Sequence, residues 1–169
     1  MLLVLAVNGY GAEQVASCPS VNGRNNVFDA SVLVRDSRIS IEHSAGEYPL
    51  ALDFYRPTED GCERVEFARY SIEGGMPEIG SIFFMILDGH INIFSIVFWR
   101  INSRGDGAYG RLYQVHAYKF DENSVLVENK RVAEDSSMSG IEGYVAGQES
   151  RFRYRTASEV KKYWAGKQR

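Results

Sequence analysis

At 169 residues, 44% apolar and 24% charged, the chain has the length and make-up of one ordinary globular domain. A formal charge of −3 and a pI near 5.7 leave no basic footprint for displacing counterions from phosphate, which argues against nucleic acid as the main partner. Ten Tyr, nine Phe and two Trp, with sixteen Gly and only four Pro, lean towards β structure with many turns and no disordered linker.

The N-terminal MLLVLAVNGYGAEQ carries a short apolar run, Leu2 to Val7, before Gly9-Tyr10-Gly11. Residues 1–12 read either as a truncated secretory signal peptide without its basic region or as an N-terminal strand. The run is far shorter than the roughly 20 residues of a membrane span. Residues 13–169 then form a single β-rich domain. Cys18 and Cys62 are the only cysteines, and both lie in turn-rich contexts, SCPS and DGCERV. No CxxC or Cys/His cluster claims them, so they point to a Cys18–Cys62 disulfide and an oxidising compartment, against the alternative of two free thiols.

Pro19 to Asn26 is dense in turn formers, with Asn22-Gly23 its tightest candidate. Ala30–Val34 and Arg38–Glu42 flank Asp36-Ser37, and Ile39 and Ile41 alternate with Ser40 and Glu42, the pattern of a hairpin. Tyr48–Tyr55 is a further strand candidate, ended by Pro57 and Thr58-Glu-Asp-Gly61. Cys62–Ile72 alternates and is broken by Gly74-Gly75 and Pro77. The strongest signal follows: Ser81–Leu87 and Ile91–Trp99, two nearly continuous apolar runs joined by Asp88-Gly89-His90. Asp-Gly between β-prone runs marks a hairpin, and apolar residues on both faces predict central strands covered on both sides. Leu112–Phe120, Ser124–Glu128 and Ser150–Arg155 complete the strands. Thr156-Ala-Ser-Glu159 is a capping box that opens a C-terminal helix with Val160, Tyr163 and Trp164 on its apolar stripe and Gly166 at its end. The fold class is therefore mainly β (α+β): an antiparallel twisted sheet or β-sandwich with a C-terminal α-helix packed on it.

The stretch Asn102–Gly110 invites two motif readings. Gly105-x-Gly107-x-x-Gly110 has dinucleotide spacing, but such a loop needs a helix after its glycines to hold the pyrophosphate, and Arg-Leu-Tyr-Gln-Val-His-Ala-Tyr reads as a strand. Arg104-Gly105-Asp106 matches an adhesion tripeptide, a match too short to carry weight. What remains is a long hairpin loop with Arg104, Asp106 and Tyr109 as candidate partner-binding residues, or a plain connector whose glycines permit positive φ.

Catalytic signatures do not assemble. His43, His90 and His116 lack the spacing of a zinc pair, and no Gly-x-Ser-x-Gly elbow occurs. The loop Asp88-Gly-His-Ile-Asn92 lacks the ligands of an EF-hand. No catalytic residue, metal or cofactor is expected. An alternative reading lines a small-ligand pocket with Tyr113, His116 and Tyr118 on the curved sheet, for a carrier or an enzyme of unknown chemistry.

No signature identifies a family. In size, leader, single cysteine pair and β content the chain resembles small exported disulfide-bearing β-proteins of Gram-negative bacteria, among them periplasmic immunity proteins and lysozyme inhibitors. That resemblance implies a periplasmic or secreted, non-catalytic protein whose partner is another protein, an effector or a hydrolase. It carries over no functional residue. A structural component of the cell envelope is the less favoured reading.

Overall fold

The computed structural model describes residues 11–21 and 26–168. Residues 1–10 of the leader-or-strand reading, and the Asn22-Gly23 turn, lie outside the described residues. The protein is mainly β, with two antiparallel sheets and a C-terminal helix. It divides into two compact units. Of the described residues, the first takes those up to Ser44 together with Leu50–Arg69, and the second takes Ala45–Pro49 and those from Tyr70 on.

The first unit is a five-stranded sheet of β1 (Glu13–Val15), β2 (Val27–Asp29), β3 (Arg38–His43), β4 (Leu50–Thr58) and β5 (Gly61–Tyr70), in the order β1-β5-β4-β3-β2. Period-two alternation sorts the faces of β3 and β4. Ile39 and Ile41 stand opposite Phe54 and Leu52, and all four are buried. Ser40 and Asp53 share the other face. There Asp53 is fully buried, and Arg64 Nε donates to its Oδ2 at 2.7 Å. Burial pushes the Asp53 carboxyl up, against the pull of Arg64. Val15 pairs with Cys62, and just beyond β1 Cys18 is bonded to Cys62, their Cα atoms 5.1 Å apart. Closing the 44-residue separation stabilises the fold by about 3–4 kcal/mol in the chain-entropy model.

The predicted Ala30–Val34 strand does not form; its place is taken by β2, just upstream. The Asp29 carboxylate accepts from the Ser31 backbone N–H at 2.9 Å and from its hydroxyl at 2.5 Å, folding the chain into a turn. Leu33 N–H to Ala30 C=O and Ser37 N–H to Val34 C=O continue it, at 2.9 and 3.0 Å. A side chain that bonds its own backbone two residues on outcompetes the β-propensity of Val32 and Val34. Pro57 does not end β4, which runs on to Thr58 before turning.

The second unit is built on a long hairpin, β6 (Pro77–Leu87) and β7 (His90–Ser103), closed by Asp88 and Gly89 at φ 53° and 76°. Both are left-handed, as a type I′ turn requires, and His90 is already paired with Leu87 rather than part of the turn. β8 (Ala108–Phe120) pairs with β7, and β9 (Leu126–Glu128) with β8. A one-turn helix, α1 (Lys130–Ala133), leads to β10 (Ser139–Val145) and β11 (Gln148–Ser150). The order is β11-β10-β8-β7-β6, with β9 also on β8. β7 is central and covered on both faces: Ile93, Phe94, Ile96 and Val97 are fully buried. β6, expected to be equally covered, is the outer strand, and its Ile86 is 61% exposed.

The predicted Ser150–Arg155 strand is also corrected. Only Ser150 lies in β11, and the chain then crosses the sheet, with the Phe152 N–H donating to Glu142 Oε2 at 2.7 Å and its ring buried on Tyr113. β10 is not among the expected strands, because its glycines depress strand propensity. They are there for close approach: Gly143 pairs with Gly110, and a Cβ on either would come within 2.2 Å of a carbonyl oxygen across the ladder.

The helix α2 (Ala157–Lys167) begins at the expected capping box, with Glu159 N–H donating to Thr156 Oγ1 at 3.3 Å and Thr156 N–H to Glu159 Oε2 at 3.1 Å. Val160 and Trp164 are buried with Phe83, Leu87 and Phe94 in the core of this unit. Each contributes roughly 1.5–3 kcal/mol by its burial. The helix runs one residue past Gly166, to Lys167.

Candidate functional site

The β7–β8 connection is shorter and firmer than the sequence suggests. Asn102 pairs with Tyr109 and Ser103 with Ala108, so only Arg104–Gly107 turn the corner, and Arg104–Asp106 wind into a single 3-10 turn. Asp106 Oδ2 accepts from the Ser103 hydroxyl at 2.5 Å, and Gly107 N–H reaches Arg104 C=O at 3.1 Å. The turn is also tied sideways: Gly147 N–H, in the β10–β11 turn, donates to Gly107 C=O at 3.1 Å.

Two hairpin tips therefore stand side by side. Register places Tyr109 opposite Tyr144, and their rings stack 4.6 Å apart at 18°. The Arg104 guanidinium lies 5.9 Å from the Tyr109 ring and has no carboxylate partner among the described residues. Tyr109 and Tyr144 are each 38% exposed, and Val145 beside them is 41% exposed. Of the three predicted contact residues, Arg104 and Tyr109 come together on this surface, while Asp106 is engaged in holding the turn. Tyr144 is not among the sequence candidates. Its signal is the turn former Gly147 after Tyr144-Val-Ala, but the stack itself depends on pairing across the ladder.

The predicted pocket residues do not converge. Side chains alternate along β8, so Tyr113 faces the helix side, where it stacks on Phe152, and His116 and Tyr118 face the other way. On that second face the Tyr70 hydroxyl lies 2.8 Å from Ser95 Oγ and 3.0 Å from the Tyr118 hydroxyl, all buried. Burial pushes the Tyr70 phenol up to about 12, and the Tyr118 phenol well above its ordinary value. The His116 ring sits 5.2 Å from that of Tyr70. Its Nδ1 is 2.9 Å from Glu128 Oε1 and its Nε2 3.2 Å from Gln114 Oε1. The hydrogen bond from His116 holds the Glu128 carboxyl below the usual carboxylate range, against partial burial.

His116, Gln114 and Glu128 border a groove of about 310 Å³ that Asp135, Met138 and Ser139 continue. Burial would raise the Asp135 carboxyl, but hydrogen bonds from Lys167, Tyr163 and the Ser137 N–H bring it down to about 2. The other candidate ligands are engaged elsewhere. Asp88 pairs with Arg131, and the buried Asn92 side chain accepts from Asn129 at 2.8 Å. Among the described residues no group of three His, Cys, Asp or Glu is placed to hold a metal ion, and no helix is long and apolar enough to cross a membrane. No protein-family model, curated protein or solved structure matches this chain.

Proposed function

We propose that the chain is an exported, non-catalytic binding protein that captures another protein on the paired tips of its β7–β8 and β10–β11 hairpins, in the manner of an immunity protein or a lysozyme-type inhibitor. The observation that carries this reading is the exposed Tyr109–Tyr144 stack with Arg104 against it, on backbone tied by the Gly147–Gly107 hydrogen bond. Tyr and Arg offer large, amphipathic contact area, and a pre-ordered tip loses little entropy on docking. Charge gives the partner a character. Residues 98–114 and 139–155 carry six arginines and three acidic side chains on a chain whose formal charge is −3. Arg100, Arg151 and Arg155 are paired with Glu78, Glu149 and Glu142, so Arg104 against the Tyr109 ring is the cation at the tips that an acidic group of a partner would meet. The Cys18–Cys62 bond supports a periplasmic or secreted location.

The test places a photo-crosslinking amino acid at Tyr144 and recovers adducts from an envelope extract of source cells. One partner is expected, its yield lost in Tyr109→Ala and reduced by salt. Undiminished capture in Tyr109→Ala and Arg104→Ala would remove the tips from the reading.

A second reading, a small polar ligand in the 310 Å³ groove, is favoured only by the His116–Glu128 pair on its rim. It keeps His116 and Tyr118 on one face and loses Tyr113. Shifts of the His116 ring resonances on adding candidate ligands would support it.

A further inference from the structure

Among the described residues five strands lie at sheet margins, and four of them are only three residues long: β1, β2, β9 and β11. The fifth, β6, is eleven residues long. Ile86 C=O accepts from the Gln168 side-chain amide at 3.2 Å, so the main chain at Ile86 points away from β7. Strand alternation turns the main chain of Phe84 and Ile82 the same way. Apart from the bond to Gln168, these three residues have no hydrogen-bond partner beyond β7 among the described residues. Natural sheet edges are usually blunted by shortness, proline, charge or a bulge. From Ser81 to Leu87 this edge has neither proline nor charge, and its one bulge lies between Ile79 and Ser81, before the regular stretch begins.

We propose that β6 pairs with β6 of a second copy of this chain, antiparallel and centred on Phe84. The occupant follows from self-complementarity. With Phe84 opposite Phe84 of the second copy, Ile82 stands opposite Ile86, and Ile86 opposite Ile82. The outward main-chain groups of all three find partners at once. Aromatic and β-branched cross-strand pairs, which stabilise paired strands, form on one face. Like charges do not meet: Asp88 falls opposite Gly80, and Glu78 falls beyond the end of the opposing strand. Gln168 sits at the C-cap of α2, and its side chain gives up the Ile86 carbonyl to the incoming Ile82 N–H. A two-fold contact of this kind closes on itself and leaves the Tyr109–Tyr144 surface on another part of the sheet.

Sedimentation of the full oxidised chain tests this directly. The expected mass is twice 19.0 kDa, returning to one copy in Ile86→Lys, whose position is exposed and whose far-UV dichroism stays unchanged. Register is tested with single cysteine substitutions. Phe84→Cys places two thiols on Cα atoms about 5.5 Å apart, within disulfide reach. Ile86→Cys places them roughly 13 Å apart along the strands, although Ile86 is the more exposed residue. Air oxidation is expected to crosslink the first variant and not the second. A wild-type chain that stays monomeric at about 0.1 mM would overturn the proposal, as would a dimer that survives Ile86→Lys or an Ile86→Cys variant that crosslinks as readily as Phe84→Cys.

Discussion

Tyr109 and Tyr118 stand near opposite ends of β8, and each meets a second tyrosine from another strand. Tyr118 and Tyr70 meet through their hydroxyls, 3.0 Å apart and buried. Tyr109 and Tyr144 meet through their rings, 4.6 Å apart and exposed. In the buried pair the hydroxyls share a hydrogen-bonded group with Ser95, because water is excluded and an unpaired polar group is costly. In the exposed pair the hydroxyls have solvent, and the rings remain available as contact area. The same residue type thus stabilises the fold at one end of the strand and offers a surface at the other.

The largest separation between the pairs is in stability. Tyr118→Ala removes a buried ring and one of the two hydroxyl partners of Tyr70, leaving Ser95 as the other, so unfolding in denaturant is expected to show a loss of about 3–5 kcal/mol. Losses in that range consume much of the ~5–15 kcal/mol by which a domain of this size is stable. A loss below about 1 kcal/mol would mean that the Tyr70–Tyr118 face is not a tightly packed interior.

Tyr70→Phe keeps the ring and deletes only the hydroxyl, removing its hydrogen bonds to Ser95 and Tyr118 at a cost of about 1–3 kcal/mol. It also carries a pH signature. The Tyr70 phenol is raised from 10.0 to about 12 by burial. Its contribution is therefore complete below pH 10 and is lost as pH rises from 10 towards 12, at about 1.4 kcal/mol per pH unit. Stability measured on either side of that window should fall less steeply in Tyr70→Phe than in the wild type. An unchanged slope would count against burial as the cause.

Glu128→Gln probes the rim of the same face. The Glu128 carboxyl lies below its ordinary 4.5 through the hydrogen bond and charge of His116. The stability it adds is present above pH 4.5 and is lost as pH falls through the lowered value. Its side chain is nearly half exposed, so solvent screening limits that contribution to roughly 0.5–1 kcal/mol. Wild type and Glu128→Gln should converge in stability at acid pH and differ by that amount near neutrality. A difference that persists at acid pH would assign the effect to packing instead.

Local chemistry made part of this architecture readable from the sequence. Asp88-Gly89 between apolar runs marked the β6–β7 hairpin, Thr156 and Glu159 marked the start of α2, and the placement of Cys18 and Cys62 pointed to their bond. Where a side chain redirects its own backbone, as Asp29 does, propensity misled, and the glycines of β10 hid a strand they exist to bring close. Period two along β8 was enough to separate Tyr113 from His116 and Tyr118, so that part of the candidate site was readable without coordinates. The edge position of β6 and the Tyr109–Tyr144 stack were not, because both depend on which strands pair across many intervening residues.

At the exposed pair the expected effect on stability is small, and there the consequence for binding is largest. Tyr109→Ala loses a ring that is 38% exposed and half of a stack worth about 0.5–1.5 kcal/mol, so its unfolding midpoint should move little. The Gly147–Gly107 hydrogen bond and the Ser103–Asp106 contact do not involve its side chain, so the turn keeps its shape. Capture of a protein partner should nonetheless drop sharply, because a ring that anchors an interface costs about 2 kcal/mol or more when truncated. Tyr109→Phe preserves the stack and should retain most of the binding. If Tyr109→Ala binds as well as Tyr109→Phe, the exposed pair is only surface, and the contrast between the two ends of β8 reduces to burial alone.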